Sequence, residues 1–300
     1  MRRTITPRSD EWPAILNELG PHEPPRRLHA DGARLDPEAA AVAVVGTRRP
    51  TAAGVEVATR IARGLAEGGI AVVSGLAIGI DATAHRAAIE AGGRTIAVLG
   101  TGLDVRYPAR NARLKEEIAT TGTLLTEYAD GTQPQRWHFP MRNRIIAGLS
   151  LGVVVVEGAQ TSGALVTARL ALDANRSVYA VPGSVRNPMA AGPNRLIQSS
   201  QAQLVTSFED VVEDLFGSMG QIGREHRDAL TQELDSDEAA VLGALDDEPV
   251  GLDRVVRISG LPQGRVAVIA ATLELGGLAT RSRGGYTITR KGAEALGAIL

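Results

Sequence analysis

Six short apolar runs, most of them rich in β-branched residues, recur through the middle of the chain. Such runs predict buried strands, which we place at 42–45, 70–73, 95–99, 123–126, 152–156 and 177–181. Helical patterns lie between most of them. Strands that alternate with helices predict a parallel sheet with right-handed connections and helices on both faces. Residues 41–215 are therefore expected to form one α/β domain.

The segments on either side of this domain have different patterns. Residues 1–40 carry six prolines, which predicts an irregular lead-in with at most one short helix. Residues 216–232 have the composition of a linker. Within residues 233–300, a short helix, a helix-turn-helix and a hairpin predict a small winged-helix domain.

The loop after the first predicted strand is the strongest candidate for chemistry. A helical pattern at 54–67 follows the strand at 42–45, and the loop between them contains Thr47, Arg48 and Arg49. Ligands of parallel sheets bind at the carboxyl ends of the strands. Free backbone N–H groups, a hydroxyl and two guanidinium groups predict an anion site there, with phosphate as the natural anion.

A dinucleotide-binding turn is the obvious alternative for this loop, and the sequence fits it poorly. That motif requires a second glycine two residues after the first, whereas Arg48 stands there after Gly46. The strand at 70–73 ends in Ser74-Gly75, with no acidic residue to hold a ribose hydroxyl.

A basic segment follows the fourth predicted strand. Pro140 suits the first turn of a helix, which would hold Arg142, Asn143 and Arg144, and Phe139 would stand just before it. An aromatic ring at that place can stack on a base, and the arginines can bind phosphate. The alternative makes Phe139 a hydrophobic staple and the arginines a solvated face.

A second helix start completes the candidate edge. Ser162-Gly163 opens a helix after the fifth predicted strand, which offers a hydroxyl and free N–H groups to a second anion. Several anion sites along one sheet edge suit a ligand with several phosphates. A single strand of nucleic acid would use them all.

Carboxylates and a histidine leave an enzymatic alternative open. Asp81 and His85 stand four residues apart, as a base and its orienting group could, although this spacing more often belongs to a helix cap and a packed histidine. Glu127 and Glu157 follow predicted strands. These residues favour a nucleotide-processing enzyme, such as a phosphoribohydrolase, as the second hypothesis, although the proline-glycine-glycine loop of that class is missing.

Composition narrows the function classes. The chain has no cysteine, and its five histidines show no metal-ligand spacing, so we expect no metal site and no thiol chemistry. No apolar run approaches the ~20 residues of a membrane helix and no signal peptide is evident, which predicts a cytoplasmic protein. The net charge of −2 means that any nucleic-acid binding comes from a local patch.

The motifs together resemble the DprA/Smf family of DNA-processing proteins. The matching stretches lie at 46–48, 74–81, 102–108, 139–150 and 162–168. The resemblance implies an extended Rossmann-like domain followed by a winged helix. This chain departs from many members at Thr47, where they have serine, at Pro193, where they have cysteine, and at Ser200-Gln201, where they have Asp-Gly.

The resemblance also implies a function. It implies sequence-independent binding of single-stranded DNA, loading of the RecA recombinase in natural transformation, homodimerisation, no cofactor and no established catalysis. The residues that would contact the strand are Gly46, Thr47, Arg48, Ser74, Gly75, Phe139, Arg142, Asn143, Arg144 and Ser162.

The role of the predicted winged helix stays open between two interpretations. Such a fold commonly places a recognition helix in the major groove of duplex DNA. Residues 233–300, however, carry 10 acidic and 7 basic side chains, and Arg265 is the only base in the second helix. A protein-contact or regulatory role is therefore favoured over duplex binding.

Overall fold

The computed structural model describes residues 2–217, 236–246, 248–275, 277–282, 285–289, 292 and 296. The chain divides into two compact units, Met1–Phe216 and Gly217–Leu300. The predicted linker at 216–232 lies outside the described residues, apart from its first two positions.

A nine-stranded sheet forms the centre of the first unit. Its strands, in spatial order, are β1 (Arg3–Ile5), β2 (Leu28–Gly32), β6 (Thr123–Thr126), β5 (Thr95–Val98), β4 (Ala71–Ser74), β3 (Ala41–Val45), β7 (Gly152–Val155), β8 (Ser177–Ala180) and β9 (Gln203–Leu204). All six predicted strands are present within one residue of their expected bounds, and the seven strands from β6 to β9 run parallel. The predicted α/β fold is confirmed.

The N-terminal segment is a correction to the prediction, because it is not an irregular lead-in. β1 pairs antiparallel with β2, and β2 pairs antiparallel with β6, so both strands extend the sheet. The prolines lie outside these two strands and do not interrupt the ladder. The Arg3 guanidinium fixes the segment by binding the Glu11 carboxylate at 2.7 Å and the Gly32 carbonyl at 2.9 Å.

Helices cover both faces of the sheet. They are α1 (Ala52–Glu67), α2 (Ile80–Glu90), α3 (Ala112–Thr121), α4 (His138–Gly148), α5 (Gly163–Asp173), α6 (Ala191–Gln198) and α7 (Phe208–Phe216). Successive residues of β3 point to opposite faces: Val42 and Val44 belong to the core that contains residues of α1 and α2, and Ala43 and Val45 to the core that contains residues of α4 and α5. A strand that is buried on both faces therefore has a continuous apolar run as its sequence pattern.

The described residues of the second unit form three helices and a hairpin. They are α8 (Ser236–Leu242), α9 (Leu252–Ser259), α10 (Gln263–Leu275), β10 (Ala279–Ser282) and β11 (Gly285–Ile288). These elements agree with the predicted helix-turn-helix and hairpin, and they enclose their own apolar core. None of the helices in the described ranges of either unit is long and apolar enough to cross a bilayer.

One buried histidine has a consequence for stability. His85 on α2 is fully buried, and its Nδ1 lies 2.7 Å from the Thr95 hydroxyl, which itself donates to the Val72 carbonyl. Its Nε2 has no hydrogen-bond partner among the described residues. Burial, followed by the charges of Arg142 and Arg86, lowers the pKa of His85 to about 3. The folded protein therefore keeps this ring neutral.

We expect His85 to make the protein acid-sensitive. Below about pH 6.5, His85 is protonated in the unfolded chain but stays neutral in the folded protein. Each further unit by which the pH falls therefore lowers the free energy of unfolding by about 1.4 kcal/mol through this residue. Urea unfolding of wild type and His85→Gln, between about pH 7.5 and about pH 5, measures the difference in slope. Parallel curves would contradict the assignment, since the other titrating groups are common to both proteins.

Candidate functional site

An open groove of about 770 Å³ lies at the carboxyl ends of the central strands. Seven of the ten predicted contact residues line it: Gly46, Thr47, Arg48, Phe139, Arg142, Asn143 and Ser162. Gly75 lines a narrow slot that shares Arg48, Phe139 and Arg142 with the groove. The structure thus brings most of the predicted set together at one edge of the sheet. We call this the strand-end groove.

Arg48 places an exposed positive charge beside the Phe139 ring. Its guanidinium is exposed, and Cζ lies 5.9 Å from the centre of the Phe139 ring. The Phe139 ring lies 5.5 Å from that of Tyr107. A cation over an aromatic face is held loosely and stays available to an anion. The arrangement can bind a phosphate and a planar base side by side.

Glu157 holds the Arg48 loop and the start of α1. The Thr47 N–H donates to the Glu157 carbonyl at 2.7 Å. The Glu157 carboxylate accepts from the Thr51 N–H at 2.9 Å, from the Thr51 hydroxyl at 2.7 Å and from the Asn187 amide at 3.1 Å. Because Thr51 is the N-cap of α1, these bonds fix both the helix and the loop before it. Glu157 is a positioning residue for Arg48.

Arg142 lies behind the groove surface as an internal brace. Only 6% of the residue is exposed. Its guanidinium donates to the Gly75 carbonyl at 2.8 Å and to the Val98 carbonyl, and its Nε donates to the Asn143 side chain at 3.1 Å. Burial lowers the pKa of Arg142 to about 10, so it remains charged at neutral pH. The side chain ties α4 to the ends of β4 and β5.

Asp81 supplies the negative charge that accompanies this brace. Its carboxylate accepts from the Gly75 N–H at 3.2 Å and the Ala77 N–H at 3.3 Å. Burial raises the pKa of Asp81, and the charge of Arg142 opposes that rise. A Cβ on Gly75 would lie 2.6 Å from Arg142 Nη2 and 2.8 Å from Asp81 Oδ2. The close approach of the two side chains therefore requires glycine at this position.

Two predicted contact residues line neither the strand-end groove nor the slot. Arg144 makes a two-pronged ion pair with Glu127, at 2.7 and 2.8 Å, and its side chain is largely buried. The Ser74 hydroxyl donates to the Val44 carbonyl at 2.7 Å inside the core. α4 also begins at His138, earlier than the pattern indicated, so Phe139 lies within the helix.

The candidate catalytic residues of the enzymatic alternative make structural contacts. His85 binds Thr95 rather than Asp81. Glu127 binds Arg144, and Glu157 binds the start of α1. In the described part of the chain, no group of three histidine, aspartate or glutamate side chains is placed to hold a metal ion.

Sequence reasoning missed two residues beside Phe139. Arg136 is exposed and lines the strand-end groove, and Trp137 is 61% exposed with its ring 4.1 Å from that of His138. Both precede α4 at the end of a long loop, where no periodicity assigns a direction to a side chain. Their position directly before the predicted helix start was the available signal.

Comparisons with known proteins agree with the geometry. The family model of DNA recombination-mediator protein A matches residues 3–216, and the model of the DprA winged helix domain matches residues 225–285. The predicted winged helix is thereby confirmed. The DNA processing protein DprA of Bacillus subtilis is 45% identical over 213 residues, 71% of each chain. A putative DprA of Mycobacterium tuberculosis is 42% identical over 97% of this chain and 78% of its own length.

Two solved structures share the fold of the first unit. The X-ray structure of DprA from Streptococcus pneumoniae has a TM-score of 0.66 and 42% identity, and the match covers 70% of this chain and 73% of that one. The structure of DNA processing protein A from Helicobacter pylori has a TM-score of 0.63 and 30% identity, over 72% of this chain and 95% of that one. The latter is described for its single-stranded DNA binding mode.

Replacement of Arg142 by methionine should destabilise the first unit by about 3–5 kcal/mol, because the Gly75 and Val98 carbonyls lose their donor and the buried Asp81 loses the positive charge near it. Urea unfolding followed through the buried Trp12 measures this loss. The double variant Asp81→Asn/Arg142→Met should recover part of the loss, since the unpaired charge is gone. If the loss in the double variant equals the sum of the losses in Asp81→Asn and Arg142→Met, the two side chains are not coupled.

Proposed function

Since this chain belongs to the DprA/Smf family of DNA-processing proteins, we propose that its first unit binds single-stranded DNA in the strand-end groove without sequence preference. The observation that carries this proposal is the exposed Arg48 guanidinium beside the Phe139 ring. The guanidinium binds a phosphate, and the neighbouring base stacks on the ring whichever base it is.

The charge distribution supports a single strand as the ligand. Arg48, Arg49 and Arg136 are exposed in the groove, whereas the acidic residue in its lining, Asp81, is buried. A polyanion therefore meets positive charge, although the chain as a whole carries −2. The Phe139 ring in the groove lining suits stacking of an unstacked base, which duplex DNA does not offer.

Arg48→Ala should weaken binding of an oligo-dT roughly tenfold or more, because a charge-assisted contact to phosphate is lost. The dependence of log K on log salt should become less steep by about 0.7, the value for one phosphate of a single strand. Fluorescence anisotropy across a salt series measures both quantities.

Arg60→Ala is the matched control for this experiment. Arg60 is an exposed arginine on α1 that lines neither the strand-end groove nor the slot. Undiminished affinity in Arg48→Ala, or an equal loss in the control, would remove the basis of the proposal.

The cellular role that we propose is to protect incoming single strands and to help load the RecA recombinase, in natural transformation and homologous recombination, in the cytoplasm. Family membership supports this role, since the matching model is that of a recombination mediator. A kinetic assay of RecA filament formation on single-stranded DNA, with and without this protein, tests it. A lack of acceleration would refute the loading role and leave DNA binding intact.

We propose further that the protein is a homodimer that associates through an apolar patch at the outer edge of the sheet. Val185 is 95% exposed and Leu204 is 48% exposed, and both line an open groove with Ile197. Leu204 belongs to β9, a two-residue edge strand. Exposed apolar surface at a sheet edge is typical of an association surface.

Leu204→Glu should shift the protein to the monomer, because a carboxylate would be buried against an apolar partner. Light scattering after size exclusion measures the mass. Val55→Glu, which alters an exposed valine on α1, serves as the control. A dimer that survives Leu204→Glu would place the association surface elsewhere.

For the winged helix we propose a protein contact in preference to duplex binding. Val268 on α10 is 61% exposed, and Ile258 on α9 is also exposed. Arg265 pairs with Asp237 at 3.2 Å. A helix with exposed apolar side chains and a paired arginine is poorly suited to contact the DNA backbone phosphates that border the major groove. Duplex binding by residues 233–300 at physiological salt would reverse this choice.

We propose that the protein acts by binding and not by catalysis. The structural contacts of His85, Glu127 and Glu157 support this view. The alternative is a nucleotide-processing enzyme of the phosphoribohydrolase type. Turnover of nucleoside monophosphates above background, abolished in Glu157→Gln, would establish that alternative.

A further inference from the structure

A second open groove, of about 640 Å³, lies between α5 and α6. It shares Thr161, Ser162 and Val166 with the strand-end groove, so the two are continuous across the start of α5. We call this second groove the α5–α6 groove.

Two exposed arginines line the α5–α6 groove. Arg169 lies seven residues after Ser162, on the same face of α5 and about 10 Å farther along the helix axis. Arg195 faces the groove from α6, and its guanidinium contacts the Gln198 side chain at 3.2 Å. Within the described ranges neither arginine is paired with a carboxylate, and no acidic residue lines the groove.

The rest of the lining suits the other parts of a nucleotide. Leu165, Val166 and Leu172 provide apolar surface for bases and sugars, and Val166 and Leu172 are exposed. Gln160, Ser199 and Gln201 provide hydrogen-bonding groups. Arginine side chains beside an apolar surface are the features of a groove that binds single-stranded nucleic acid.

We propose that the α5–α6 groove continues the DNA path, with Arg169 and Arg195 holding backbone phosphates beyond those held at the strand-end groove. The inference rests on the proposed function, because it concerns the same ligand. Strands long enough to reach the second groove gain affinity from it, and shorter strands do not.

The test compares oligo-dT of about 6 and about 20 nucleotides, labelled at one end, on the full-length protein. Arg169→Ala, Arg195→Ala and the double variant are measured beside Arg60→Ala by anisotropy across a salt series. The short oligomer should bind all variants as it binds wild type. For the long oligomer, the salt dependence should become less steep by about 0.7 for each lost arginine, and the control should not change.

Three results would overturn the inference. They are an unchanged salt dependence with the long oligomer, an equal loss with both lengths, and a loss that follows a change in oligomeric state, since Arg195 also borders the apolar patch of Val185 and Leu204. Light scattering on each variant separates the last case. Failure of wild type to bind either oligomer would instead refute the proposed function, and this inference with it.

Discussion

The groove depends on one buried guanidinium. Arg142 reaches from α4 to carbonyls at the ends of β4 and β5. Asp81 on α2 lies close by, and its carboxylate accepts a hydrogen bond from the Gly75 N–H in the loop after β4. A planar fork with five donors can satisfy several carbonyls at once, whereas an ammonium group cannot do so in the same plane. A buried charge of this kind stabilises the fold only while its partners are in place. Its value here is geometric, because it ties α4 to the ends of β4 and β5.

That brace divides the basic residues into two groups with different roles. Arg142 is buried, Arg144 is largely buried, and both hold protein groups. Arg48, Arg49 and Arg136 are exposed and keep their guanidinium groups for a ligand. The exposed group can be effective because Glu157 holds the Arg48 loop and Arg142 ties α4 to the ends of β4 and β5. Ordering a flexible loop on binding would cost conformational entropy, and a prearranged loop avoids that cost.

The acidic residues of the site are equally constrained. Glu157 is buried and accepts three hydrogen bonds, so its negative charge is directed at the start of α1 and away from the groove. Glu127 is neutralised by Arg144. A protein of net charge −2 can therefore present a positive groove to a polyanion, because pairing and burial remove the acids that would repel it.

The sequence by itself determined the fold class and most of the groove. Continuous apolar runs identify strands that are buried on both faces. Because the carboxyl ends of parallel strands meet at one edge of the sheet, the residues that follow them, Thr47, Phe139 and Ser162, are expected at that edge. The sequence pattern did not predict the additional strands β1 and β2, because short antiparallel strands among prolines have no distinctive hydrophobic period. Only the tertiary structure separated Arg142 and Arg144 from Arg48, and joined the strand-end groove to the α5–α6 groove. The physical reason is that the burial and pairing of a side chain depend on elements distant in sequence, which local spacing does not encode.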